Sequence, residues 1–430
     1  MYNKIKRNRI TFEKIYFFIV FLFAARATIF TTVLDFRSNP IGFALLFLPT
    51  LYFYQKCHLS IFKGKIAMVF SILTVWMILH FLTDAKFDIF TYYIIYLQLF
   101  VGYVALNVFR EKIYLYFENV TVSLSVVAIV LWSIMQVVGV QAMASLGFME
   151  PNTNISSASL LIFNTPRAFE SEEGFLFGLT RNNGFAWEPG LFACFLALAM
   201  YFNLIRMHRI VGNKNFYILA IALLSSSSTT GYFLLFILMC NYFFFQRSKV
   251  HYKILALIVL IPVVVWGSQL PFMGEKIKKT SSTENYISEN IQQLDYMENV
   301  EYSLTVQRFE GLYLEFLNFK DAPILGYGNK GNSYMNTHIS PYLVVSSGVI
   351  TNFSQFGLIL GILISIVYIM SAKAFDKQYN QKYMMLFIVY LVMSMSYNFN
   401  LVALFIAIMW YGLLLDKGRL HYYIQKATKS

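Results

Sequence analysis

Charge and cysteine are scarce in this sequence, and the motifs of nucleotide and metal chemistry are missing. Asp, Glu, Lys and Arg together make up 13% of the 430 residues, against roughly 25% in a soluble domain. No domain-sized soluble segment can be carved from it. The three cysteines, Cys57, Cys194 and Cys240, fall in a basic loop and two apolar runs. That placement spells neither a disulfide framework nor a metal knuckle. With no Walker motif and no His-Glu-x-x-His, neither ATP hydrolysis nor zinc chemistry is indicated. One G-x-G-x-x-G occurs, Gly326-Tyr-Gly-Asn-Lys-Gly331, but no strand–helix unit surrounds it. It reads instead as a loop, with Gly328 and Lys330, that brings backbone close to a ligand. No cofactor and no metal is expected.

What the chain has in abundance is apolar surface: 58% hydrophobic and 18% aromatic residues, with mean hydropathy +0.57. A membrane-crossing helix needs about 20 such residues, fewer when it is enclosed by others. About twelve runs qualify: 16–34, 40–55, 66–83, 88–109, 120–140, 189–205, 215–228, 230–245, 252–269, 348–371, 383–397 and 399–415. The pair around residues 225–231 is either two short helices meeting at a tight turn or one kinked segment. The first run follows a basic start but lacks a small-residue cleavage site, so no cleavable leader is evident. The expected fold is an all-α polytopic membrane protein, residues 1–430 forming a single integral-membrane domain.

The net charge of +12 would ordinarily raise nucleic acid as a partner. Here the bases sit in short patches between apolar runs, and orientation in a bilayer explains them better. Lys4, Lys6, Arg7, Arg9 and Lys14 precede the first run. Alternate connections then carry Lys56/Lys63/Lys65, Arg110/Lys112, Arg206/Arg209/Lys214, Arg247/Lys249/Lys253 and Lys373/Lys377/Lys382, and the tail adds Lys417, Arg419, Lys426 and Lys429. The intervening short loops hold only Arg37 and Lys86 or no base. The alternation puts both termini in the cytoplasm. Two long connections, 141–188 and 270–347, then fall outside.

The first long loop ends in Thr180-Arg-Asn-Asn-Gly-Phe-Ala-Trp-Glu-Pro-Gly190. It sets Arg181, Trp187 and Glu188 at the mouth of an apolar helix whose first position is Pro189. Free N–H groups and the positive end of the dipole favour an anion there. A cation, an aromatic face and a carboxylate point to a lipid bearing phosphate and sugar. In the second loop, residues 301–320 have helical spacing. Phe309, Leu312, Tyr313 and Phe316 share one face, and Arg308, Gly311 and Glu315 another. That arrangement presents Arg308 beside a glycine where a ligand can approach. His338 stands in Asn336-Thr-His-Ile-Ser-Pro341, just before the next run, where an imidazole can take a hydroxyl proton.

Each candidate has a plainer alternative. Arg181 and Arg308 offer the planar fork that suits diphosphate oxygens, yet either can pair with a neighbouring carboxylate or snorkel. Glu188 is a second base candidate or simply complements the helix start. Trp187 stacks on a sugar ring or belongs to the interfacial aromatic belt. Arg26, inside the first run, would be costly against lipid and is expected to face the bundle interior or a polar cavity. Structural pairing is its simpler role, as it is for His80.

Four stretches in order resemble the superfamily of bacterial O-antigen polymerases and O-antigen ligases. Residues 181–190 resemble its Arg…Gly…Glu-Pro element, and 225–231 its Ser/Thr-rich turn between two short helices. Arg308-Phe-Glu-Gly with Pro323-Ile-Leu-Gly-Tyr-Gly328 resembles its arginine helix and the segment after it. His338 with Pro341 and Phe356-Gly-Leu-Ile-Leu-Gly361 resembles its closing element. Two departures stand out. Ile339 follows His338 where Asn is common, and 225–231 lacks the arginine that ligases often carry.

The resemblance implies metal-independent glycosyl transfer from an undecaprenyl-diphosphate-linked oligosaccharide. Arg181 and Arg308 would hold the diphosphate, with Trp187, Gly311, Gly328 and Lys330 around the substrate, and His338 or Glu188 would deprotonate the acceptor. A polymerase is favoured, working at the outer face of a bacterial inner membrane. Its expected partners are membrane lipids, a chain-length regulator and a flippase. The rivals are a ligase acting on a distinct acceptor and a flippase or other transporter, against which the two long outer loops count.

Overall fold

The computed structural model describes residues 11–31, 33–84, 86–149, 158–166, 179–246, 304–305, 308–339, 343–344 and 348–415. Among these residues the chain is almost wholly helical. In order come α1 (Phe12–Ala24), α2 (Thr28–Thr31), α3 (Pro40–Lys56), α4 (Gly64–Thr83), α5 (Ile89–Phe109), α6 (Lys112–Val138), α7 (Val140–Ala144) and α8 (Pro189–Met207). Then follow α9 (Lys214–Ser225), α10 (Thr229–Cys240), α11 (Arg308–Asp321), α12 (Thr351–Tyr379), α13 (Met385–Ser394), α14 (Ala403–Met409) and α15 (Tyr411–Leu414). Five of them, α4, α5, α6, α8 and α12, are long and apolar enough to cross a membrane. The other apolar runs form shorter helices, while run 252–269, the N-terminal bases up to Arg9 and the basic C-terminal tail lie outside the described residues.

Local chemistry sets the helix starts. Asn39 accepts from the Ile41 and Gly42 N–H groups at 2.8 and 3.3 Å ahead of Pro40. Asp88 accepts from Phe90 and Thr91 at the start of α5. Asn213 and Ser228 do the same for α9 and α10, each satisfying N–H groups that the first turn leaves open. Residues 225–231 resolve into two helices and a tight turn, with Ser227 at φ +46. The first apolar run is interrupted where its hydropathy gives no sign: α1 stops at Ala24, and Arg26 takes φ +50 before the single turn of α2.

Helix α8 is the axis of the bundle. It is buried at every position from Pro189 through Ile205, as a helix apolar all round must be, and packs against α6, α9 and α10. Phe195 stacks on Phe117 at 5.5 Å and meets Phe21 and Phe405 edge-on. Nineteen residues at 1.5 Å each give it a length of about 28 Å, close to a bilayer's hydrocarbon core. At its far end Arg206 and Asn203 converge on the buried Glu118 of α6, the Arg206 Nε donating at 2.9 Å and Asn203 Nδ2 at 2.8 Å. Asn215 donates to the same carboxylate at 3.1 Å. The near end carries Glu188.

Helix α12 is broken. Gly357 has φ +74 and ψ 174 inside it, and the loop from Pro323 to Gly328 fills the gap. Tyr327 N–H donates to Ser354 O at 2.8 Å, Gly328 N–H to Gln355 O at 3.0 Å, and Leu358 N–H to Pro323 O at 2.8 Å. The loop is held from α4 as well, by Trp76 Nε1 donating to Leu325 O at 2.9 Å. His80, buried, sits between that carbonyl and Asp84. Ser354 O, Gln355 O and Leu358 N–H, freed by the break, thus find partners within the protein, as irregular backbone at membrane depth requires. A short parallel pairing, Leu304 with Leu343 and Thr305 with Val344, brings the chain entering α11 beside the chain leaving the His338 turn.

Candidate functional site

The Arg181–Glu188 stretch is fixed at nearly every residue. Thr180 O accepts from Trp132 Nε1 at 2.7 Å, and Thr180 N–H donates to Gln136 Oε1 at 3.1 Å, which moors the stretch to α6. Asn182 N–H donates to Ser225 O at 3.0 Å, and its amide to Ser225 Oγ at 2.9 Å. Gly184 turns at φ +54, and a Cβ there would collide with the Phe192 ring. Phe185 and Ala186 are buried behind it. The half-buried Arg181 is therefore delivered to the α9–α10 turn, where its Nε donates to Ser226 O at 3.4 Å and the Tyr232 phenol is within electrostatic reach. Two of the stretches singled out by sequence thus meet in space.

Glu188 occupies the cap position of α8 in extended conformation, but its carboxylate makes no capping hydrogen bond. Arg26 lies within electrostatic reach of Glu188, Arg37, Asp35 and Tyr397. Arg37 is already neutralised by Asp35, its guanidinium lying 2.6 Å from the carboxylate. Arg26 itself is exposed between buried Ala25 and Ala27, and among the described residues its side chain makes no ion pair or hydrogen bond.

A second group gathers on α11. Gly311, Leu314, Glu315 and Asn318 are buried at helical spacing, while Tyr313 and Phe316 face outward. The face carrying Gly311 is thus turned into the protein and not toward an approaching ligand. The inward face is the polar one because its partners are polar. Glu315 accepts from Ser354 Oγ, from Thr351 Oγ1 at 3.2 Å and from Asn318 Nδ2 at 3.3 Å, all behind the first turn of α12. Burial raises its pKa above the usual carboxylate range, opposed by these bonds and by Lys330. Lys330 has the reverse shift, desolvation lowering it against the pull of Glu315; its side chain is exposed yet crowded by protein. Arg308 opens α11, but its side chain lies outside the described residues.

His338 belongs to the same unit. The π-helical turn Met335–Ile339 is tied to α11 by Met335 N–H donating to Asn318 Oδ1 at 2.9 Å. His338 is exposed, stacked on Tyr334 at 4.5 Å, with Nδ1 2.7 Å from Thr337 Oγ1. The glycines of the G-x-G-x-x-G loop have a packing role that spacing alone did not reveal. A Cβ on Gly328, at φ +60, would sit 2.6 Å from Tyr92 Oη and 2.7 Å from His80. Gly326, at φ +77, backs onto the Gln355 carbonyl.

The element that sequence reasoning missed is the loop between α13 and α14. Gly348 N–H donates to Ser394 O, and Asn400 Nδ2 returns a bond to Gly348 O, both at 2.6 Å; this ties the loop to the approach to α12. Ser396 Oγ lies 2.7 Å from Thr230 Oγ1 in the turn that holds Arg181, and Tyr397 is within electrostatic reach of Arg26. The loop therefore bridges the two groups. Beside it, between α4, α5, α12 and α14, opens an apolar recess of ≈ 210 Å³ lined by Leu73, Leu99, Phe356, Leu401 and Trp410 among others. Among the described residues no three His, Cys, Asp or Glu side chains gather as metal ligands. No protein-family model, no curated protein and no solved structure matches this chain, so a function has to be argued from these residues themselves.

Proposed function

We propose that the chain is a membrane glycosyltransferase that polymerises lipid-diphosphate-linked oligosaccharide units into O-antigen, capsule or exopolysaccharide. It would act at the outer face of a bacterial inner membrane, with undecaprenyl diphosphate as carrier. The observation that carries this reading is the delivery of Arg181, from one long loop, to the serine-rich turn between α9 and α10. That same stretch continues through the half-buried Trp187 to Glu188, which opens a helix about as long as a bilayer's hydrocarbon core.

In the reaction, the acceptor hydroxyl oxygen of one repeat unit attacks the anomeric carbon of another. The bond from that carbon to the diphosphate oxygen breaks, and the diphosphate leaves on its lipid with the electron pair. Arg181 and Arg308 hold the departing charge through paired N–H donors. His338, already hydrogen-bonded at Nδ1, takes the hydroxyl proton at Nε2. The apolar recess under Phe356 accommodates part of an isoprenoid chain, which has no polar atoms to satisfy.

A transporter would draw on the break in α12, because interrupted helices form many transport sites. Here Ser354 O, Gln355 O and Leu358 N–H are taken up by the 323–328 loop, which counts against a ligand binding at those groups. A ligase differs from a polymerase only in its acceptor. The decisive assay gives purified enzyme the undecaprenyl-diphosphate-linked repeat unit. A ladder of growing lipid-linked chains supports a polymerase, and a single transfer to a lipid A-core acceptor makes it a ligase. Arg181→Ala should lower turnover by about 10²–10³-fold and His338→Ala by about 10²–10⁴-fold. Undiminished polymer from both would remove the assignment.

A further inference from the structure

The turn that carries His338 is tied to the rest of the protein by a buried amide that the scheme above does not use. Residues 333–338 bond largely among themselves. The N–H groups of Asn336 and Thr337 donate to Ser333 O, both at 3.0 Å, and so does Thr337 Oγ1 at 3.0 Å. The His338 ring is held within the same segment, stacked on Tyr334 and bonded at Nδ1 to Thr337. Upstream, the amides of Asn329 and Asn332 donate to Lys86 O. Past them, among the described residues, the hydrogen bond that fixes 333–339 to another element is Met335 N–H to Asn318 Oδ1 at 2.9 Å. Met335 is itself buried, so apolar packing seats the turn and this bond orients it.

Asn318 is 1% exposed, and the chemistry at its two ends fixes its orientation. A backbone N–H can only donate, so the amide oxygen must face Met335. The amide nitrogen then faces Glu315 and donates to Oε2 at 3.3 Å. Glu315 is anchored in turn by Ser354 Oγ and by Thr351 Oγ1 at 3.2 Å, from the first turn of α12. A line of buried bonds thus runs from α12 through Glu315 and Asn318 of α11 to a backbone amide three residues before His338. Taking out one member leaves its neighbours unpaired and frees the backbone at Met335 to shift.

We infer that Asn318, oriented by Glu315, is a positioning residue for His338. It sets where the imidazole stands against an acceptor hydroxyl and makes no contact with substrate itself. The inference rests on His338 being the base of the glycosyl transfer proposed above.

The test uses the full chain in lipid nanodiscs and two readouts: turnover of the undecaprenyl-diphosphate-linked repeat unit, and amide hydrogen exchange of the 335–339 turn. Asn318→Ala should lower kcat by about 10- to 100-fold at unchanged KM, the scale of a small misplacement of a reacting group. It should also speed exchange in the turn, a readout that involves no chemistry on substrate. In a His338→Ala background, Asn318→Ala should lose nothing further, because its effect travels through the imidazole. Asn318→Asp sets an acceptor against the Glu315 carboxylate and should be as impaired as the alanine variant. Adding Glu315→Gln to Asn318→Asp restores a donor facing an acceptor and should bring kcat back to within about threefold of wild type. If Asn318→Ala does not fold, this exchanged pair decides the matter. Unchanged exchange in Asn318→Ala, or wild-type kcat in it while His338→Ala is inactive, overturns the inference and leaves the function standing. An added loss in the His338→Ala background makes Asn318 a residue of the fold alone and overturns it as well. No recovery in the exchanged pair removes Glu315 from the assignment. Wild-type turnover in His338→Ala overturns the base assignment, and this inference with it.

Discussion

The hydroxyl of Thr230 lies 2.7 Å from that of Ser396, although 166 residues separate them in the chain. The contact fastens the turn that holds Arg181 to the loop between α13 and α14. Both partners are buried, so removing one hydroxyl leaves the other unsatisfied. Thr230→Val should cost about 1–3 kcal/mol, and the double substitution with Ser396→Ala less than the sum of the two singles. A thermal-unfolding double-mutant cycle in detergent checks this; strict additivity would mean the hydroxyls do not interact.

Glu315 makes stability depend on pH in a direction that can be worked out. Its folded-state pKa is raised by burial, so between the unfolded value and the raised one the folded chain holds more protons. Stability then falls as pH rises through that window and is fully present below it. Glu315→Gln should flatten this dependence while keeping an acceptor for Ser354 or Thr351. Unfolding midpoints measured on both proteins from about pH 4 upward decide it; parallel curves would count against the assignment.

The glycine loop separates packing from ligand approach. Gly328→Ala would drive a methyl group into Tyr92 and His80 at a positive φ, and Gly326→Ala meets the Gln355 backbone. Each should destabilise by about 2–4 kcal/mol. Gly331 has nothing nearer than 3.5 Å to a built Cβ, so Gly331→Ala should stay within about 0.5 kcal/mol of wild type. Equal tolerance at all three positions would contradict the packing role.

At the opposite end of α8, Arg206→Ala would strand the buried Glu118 with only amide donors. Breaking such a pair costs about 3–5 kcal/mol, and the low end applies because Arg206 reaches solvent, with 37% of its side chain exposed. Lower unfolding temperature with unchanged catalysis in the protein that folds is the expected result. A catalytic defect larger than the stability defect would show that this end of the bundle takes part in the reaction.

What could be read in advance follows from how far each feature extends along the chain. The Arg181–Gly190 stretch is contiguous, and its Glu-Pro-Gly helix start, interior glycine and following apolar run announce themselves through local chemistry. The tight turn at 225–231 is marked by its serines and a cap. The break after Ala24 is not, because the apolar run continues through it and only the third dimension shows what surrounds Arg26. For α11, spacing told which residues share a face but not which face turns in. Here the small and polar face does, since Thr351 and Ser354 wait there. Glu118 and Arg206, 88 residues apart, and the 395–402 loop have no periodicity or motif to betray them.

That last loop also has a bearing on how the protein comes into being. During synthesis it emerges after both arginine-bearing segments have left the ribosome. A nascent chain halted before Ser394 would carry Arg26, Arg181, Arg308 and His338 and still lack the clasp between their halves. The clasp therefore closes only once the last helices have been made, so the two halves it joins are held together late in synthesis and not as each segment emerges.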